Sequence, residues 1–174
     1  MRTNEMNDLT HMIDQGYMAL GNLIPSKITQ QIVERVNGSR ELTDTIFLSK
    51  ESYDANPVHI GVNPVPGRNY TEACADLMAK IESHKVLTDS LSQLLGAEYM
   101  IMDCKFVIGV PKASIPSWVV DKIEGKRVNN LGAYIKPEYR DITYFWGIDL
   151  HQDIIDWKDR QADFITLYLS LIHI

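Results

Sequence analysis

The hydrophobic pattern of this 174-residue chain changes period once, and that change limits the class of fold it can adopt. Up to residue 95 the apolar residues mostly recur three and four apart, as on a helix face. Leu9, Met12 and Ile13 begin such a stripe, Gly16 stops it, and residues 17–20 follow as a short strand. Pro25-Ser26 opens a second helix with Ser26 as the N-cap; Ile28, Ile32, Val33 and Val36 form its apolar stripe, and Asn37-Gly38 ends it. Residues 53–69 hold three prolines and two glycines and read as an ordered loop. Thr71 is placed to cap a third helix running to about Ser83. A fourth carries Leu87, Leu91, Leu94 and Leu95, with Gly96 where a left-handed terminal residue is wanted.

From residue 98 the apolar positions alternate. Over 98–110, Met100, Met102, Cys104, Phe106 and Ile108 line one face, while Tyr99, Ile101, Asp103, Lys105 and Val107 line the other. One apolar and one mixed face predict a strand with a core on one side and either a lined cavity or water on the other. Residues 111–141, with Pro111, Pro116 and Pro137, read as a long irregular stretch, and loops of that length are functional or mobile. Strand-like segments return at 142–148 and 164–169. Helices first and strands afterwards is an α+β pattern.

Hydrophobic residues at 45% and charged residues at 23% suit a globular domain. A formal net charge of -6 argues against nucleic acid as partner, because a phosphate-binding surface needs surplus cations. The densest basic cluster, Lys122, Lys126 and Arg127, is diluted by Asp121 and Glu124. No apolar run approaches the ~18 residues of a membrane span, and the opening MRTNEMNDLTH is no signal peptide. Cys74 and Cys104 form neither a disulfide framework nor a thiolate zinc pattern. A cytoplasmic protein is expected, and the sequons at Asn37 and Asn69 then have no glycosylation role.

The segment richest in chemistry is 147–157, which contains His151-Gln152-Asp153. On a strand, residues i and i+2 point the same way, so an imidazole and a carboxylate converge on one metal ion. That donor pair suits the 2-His-1-carboxylate facial triad of non-haem Fe(II) oxygenases, which leaves positions open for co-substrate and O2. Taken alone the triplet is weak: five His and fourteen Asp give roughly 0.4 such triplets by chance. Asp156, Asp159 and Asp163 surround Lys158 and Arg160 as a solvated turn, without the Gly and Glu of a calcium loop. Trp146 and Trp157 flank the motif as cavity wall or as aromatic core. His11, His59 and His84 are weak ligand candidates, and no G-x-S-x-G, P-loop or G-x-G-x-x-G occurs.

Context strengthens the triplet. Gln15-Gly-Tyr-Met-Ala-Leu-Gly-Asn-Leu-Ile-Pro25, Leu94-Leu95-Gly96 before a strand, Leu150-His-Gln-Asp153, and Gln161-Ala-Asp-Phe-Ile-Thr-Leu-Tyr168 follow one another in register. In this order the chain resembles the phytanoyl-CoA dioxygenase family of Fe(II)- and 2-oxoglutarate-dependent oxygenases, over nearly its whole length. The resemblance implies a double-stranded β-helix (jelly-roll, cupin-like) core with N-terminal helices. It implies Fe(II), 2-oxoglutarate as co-substrate, O2, and hydroxylation of a small-molecule or acyl substrate. By position His151 and Asp153 become iron ligands, and an Asp there disfavours the related halogenases. Lys105 and Tyr168 resemble cofactor-pocket positions; their ordinary readings are a solvent-facing lysine and a core-edge tyrosine.

The family's distal His and its 2-oxoglutarate-binding Arg have no counterpart, since His173 lies too close to His151. Leu169-Ser-Leu-Ile-His-Ile174 is also what the transposon-end adapter string CTGTCTCTTATACACATC encodes in frame. The expectation is therefore a single incomplete dioxygenase domain over 1–168, truncated after the first barrel strands, with 169–174 an adapter-derived tail. Such a fragment would be inactive, and its unpaired sheet edges would lower its solubility. Two other readings stay open: a non-catalytic jelly-roll or cupin-like binding module, and a helical interaction protein with an accidental H-x-D. The substrate and the oligomeric state are not legible.

Overall fold

The computed structural model describes residues 10–56, 63–102, 104–126, 130–147 and 164–171. Within them the fold is α+β, with helices leading into a two-stranded sheet. Helix α1, described over 10–15, ends where the Gly16 N–H donates to the Met12 carbonyl at 2.9 Å and Gly16 takes a positive φ. The expected strand at 17–20 does not form. Met18 and Leu20 turn inward and Tyr17 and Ala19 outward, so the alternation survives, but a strand needs a partner ladder and none pairs here.

Helix α2 (Ser26–Ser39) follows Pro25, whose fixed φ suits a helix start. Ser26 is therefore inside the helix and is not its cap; its carbonyl instead accepts from the Thr29 hydroxyl at 2.9 Å. Ile32 and Val36 are buried, with Ile28 packed beside them, and the helix passes Gly38 to finish at Ser39. Arg40 then turns to extended backbone. Ile46 and Phe47 enter the core from a short 3-10 turn, Asp44–Ile46. Ser49 caps helix α3 (Lys50–Ala55) by accepting from the Ser52 N–H at 3.1 Å.

The expected third helix is two. Asn69, not Thr71, caps α4 (Tyr70–Ala73), its Oδ1 accepting from the Thr71 N–H at 3.1 Å. The chain breaks at Cys74 and restarts as α5 (Ala75–Glu82), which buries Leu77 and Ile81. Helix α6 (Lys85–Leu95) buries Leu87 and half-buries Leu91, and Gly96 ends it at φ 90°.

The sheet pairs β1 (Val107–Gly109) with β2 (Thr143–Phe145) in parallel, Ile108 opposite Tyr144. The expected strand over 98–110 shrinks to three residues. Met100 and Met102, assigned to the core face, are 84% and 74% exposed. The segment 142–148 shortens likewise, and 164–169 forms no strand. A parallel pair needs a long crossover, and residues 111–141 are that connection. They are not an open loop: helix α7 (Ser117–Ile123) lies within them, and Val119, Ile123, Leu131 and Ile135 are fully buried. Jelly rolls are built from antiparallel Greek keys, whereas the two strands described here run parallel. Tyr144, at the centre of β2, is also fully buried, and Leu171 packs against the core from the far end of the chain. Among the described residues no helix is long and apolar enough to cross a membrane.

Candidate functional site

His151 and Asp153 lie outside the described residues, as do His59, Trp157 and Asp156, Asp159 and Asp163. The described chain leads toward them through β2 and Gly147, whose positive φ turns the backbone directly after the sheet. Trp146, beside that turn, is half-buried against the core with the Lys112 ammonium 5.8 Å from its ring centroid. Lys105 precedes β1 and is exposed, and Tyr168 is 81% exposed. A surface depression of about 330 Å3, lined by Thr43, Asp44, Ala113, Ser114, Ile115 and Pro116, contains neither.

Among the described residues no three His, Cys, Asp or Glu side chains come together as metal ligands. His11 is exposed and sets its ring edge-on to Tyr17 at 4.9 Å. His84 precedes α6, its Nδ1 buried without a hydrogen-bond partner. Cys74 is fully buried; burial pushes its thiol pKa up against the opposing pull of Arg35, which leaves it a poor nucleophile.

The most completely built polar cluster was not visible in the sequence. Arg40, at the end of α2, donates from Nη1 and Nη2 to both carboxylate oxygens of Asp141 at 2.6 and 2.7 Å. Nη1 also reaches the Tyr144 hydroxyl at 3.1 Å. The guanidinium lies 5.0 Å from the Tyr70 ring centroid and 5.6 Å from that of Tyr139, and the side chain is only 5% exposed. Burial works to lower the Arg40 pKa, but the hydrogen bonds to Asp141 and then Tyr144 outweigh it and leave it raised. Burial also raises the Tyr144 phenol, with Arg40 pulling the other way. Both oxygens of Asp141 are engaged and the guanidinium is closed in by rings, so the cluster acts as a tie between α2 and β2. It offers no open face to a substrate.

A second group stacks Tyr53 on Tyr134 at 5.3 Å, with Trp118 5.2 Å from Tyr53 and the Lys122 ammonium 5.4 Å from the Tyr53 ring. It fastens α3 to the crossover through Trp118 of α7 and Tyr134, and aromatic packing accounts for it. Compared with models of known protein families, with curated proteins and with solved structures, the chain matches none.

Proposed function

We propose that the chain is part of an Fe(II)- and 2-oxoglutarate-dependent dioxygenase of the phytanoyl-CoA type, acting on a small-molecule or acyl substrate. The observation that carries the reading is Leu150-His-Gln-Asp153, followed eight residues later by Gln161-Ala-Asp-Phe-Ile-Thr-Leu-Tyr168. The helices-then-strands order of the fold is compatible with it. The donor chemistry suits ferrous iron: His151 supplies a neutral imidazole nitrogen and Asp153 a carboxylate oxygen. Bound iron would supply the oxidising chemistry, with 2-oxoglutarate decarboxylated to succinate as O2 is split. The jelly-roll core and the further His and Arg of the family belong to the same proposal. Cys74 is a buried thiol outside any disulfide, which suits the cytoplasmic setting also proposed.

The exposure of Lys105 and Tyr168 favours a second reading, a non-catalytic binding module in which the motif holds metal structurally or not at all. Anaerobic Fe(II) titration of the purified chain, with His151→Ala and Asp153→Ala alongside, tests the metal assignment. Saturable binding lost in both variants supports it, and binding that ignores both substitutions removes it. Extending the gene sequence past the codon for Tyr168 separates the two readings. A downstream His followed by an Arg selects the oxygenase, and a frame without them selects the module.

A further inference from the structure

Five methionines are described, and they divide into two kinds. Met12, Met18 and Met78 are half-buried. Met100 and Met102 stand in water, 84% and 74% exposed, with Ile101 between them at 49%. That rise and fall is the alternation of an extended chain, and residues 99–102 form neither helix nor turn. Both thioethers therefore leave the same side of the backbone, from Cα atoms about 6–7 Å apart. A methionine side chain is unbranched and flexible, so two at this spacing can bring their sulfurs to one point.

Cys104 is the next residue of the same parity. Its backbone is held in place, because the carbonyl accepts from Asn69 Nδ2 at 2.7 Å and the Oδ1 of the same Asn69 caps α4. Its thiol is half-buried and donates to the Glu82 carboxylate at 3.9 Å. Three sulfurs thus fall within five residues, tied at one end to the helices and open to water at the other. Packing does not account for the exposed pair, since neither Met100 nor Met102 rests on the core.

We propose that Met100, Met102 and Cys104 form a binding site for a soft monovalent cation, Cu(I). Thioether and thiolate sulfur together favour that ion. Zinc takes Cys, His and carboxylate ligands, and hard cations take oxygen, so two thioethers select against both. On binding, the Cys104 S–H bond breaks, its proton leaves the Glu82 contact for water, and the sulfur electron pair bonds to copper. The two thioethers add as neutral donors, and copper stays in the +1 state throughout. The site shares no residue with the iron motif and stands or falls independently of it.

Anaerobic competition for Cu(I) against bicinchoninate, whose copper complex is coloured, tests the proposal. One equivalent of Cu(I) is expected to move to the protein, with only sulfur neighbours in its X-ray absorption spectrum. Met100→Leu and Met102→Leu keep the bulk of exposed side chains, and each should weaken binding at least tenfold. Met78→Leu on α5 should leave it unchanged, and Cys104→Ser should abolish it with the circular dichroism retained. Binding that survives both methionine changes is capture by a thiol alone and overturns the proposal. Failure of Cu(I) to transfer, or its displacement by equimolar Zn(II), overturns it equally.

Discussion

The Arg40 guanidinium and the Asp141 carboxylate meet through two hydrogen bonds of 2.6 and 2.7 Å across 101 residues of chain. Asp141 is 25% exposed and Arg40 5%, so the pair is largely withdrawn from water. Both partners also sit at element ends, one after α2 and one before β2. The pair therefore fixes where the first half of the chain meets the second.

Removing one partner leaves a buried charge uncompensated, which costs about 3–5 kcal/mol. Asp141→Ala is expected to lower the unfolding free energy by about that amount in urea titrations. Arg40→Met combined with Asp141→Leu should recover most of the loss, and a double-mutant cycle measures the coupling. Equal and additive losses in both single variants would show that the pair is not coupled.

The crossover between the strands behaves as core. Ile123 and Ile135 are fully buried within the stretch that composition presents as an irregular loop. Ile123→Ala and Ile135→Ala should each cost about 2–5 kcal/mol by the same measurement. Shifts within about 0.5 kcal/mol would mark the segment as surface.

Arg35 holds the Asp76 carboxylate below its usual range. A depressed carboxylate pKa adds stability above the unfolded value, about 3.9, and that stability is lost as pH falls through the folded value. Asp76→Asn is therefore expected to lower stability slightly at neutral pH and to flatten the acid limb by the same small amount, because the pair is exposed and screened. Chemical denaturation at a series of pH values from acid to neutral resolves the two limbs.

The two thiols should label at different rates. Cys104 is half-buried, whereas Cys74 is fully buried and its thiol is pushed up. A thiol reagent under native conditions is expected to modify Cys104 first, with Cys74 reacting only as the chain unfolds. Simultaneous modification of both would contradict the burial of the Cys74 side.

Local periodicity carried the helices well. Ile32, Val36 and Leu87 are buried where the three-to-four spacing put them, and Gly96 has the positive φ its position required. The strand reading was weaker, because alternation sets the faces of an extended chain without saying whether a neighbour pairs with it. Val107 finds Thr143, but Met100 and Met102 remain in water. The crossover was hidden for a related reason: its buried residues follow no single period, and parallel pairing leaves no mark in the intervening sequence. Arg40 and Asp141 meet only through the tertiary fold. Of the site expected from sequence, Lys105 and Tyr168 are on the outside, and His151 and Asp153 lie beyond the described residues.

The separation of Arg40 from Asp141 also imposes an order on biosynthesis. At roughly 5–20 residues per second, the ribosome polymerises Asp141 some 5–20 s after Arg40. During that interval the end of α2 lacks its tie to β2, and the crossover residues that complete the buried core are not yet made. A nascent chain in that state presents Ile32 and Val36 to whatever binds exposed hydrophobic helices, so a co-translational chaperone would meet this protein before its sheet exists.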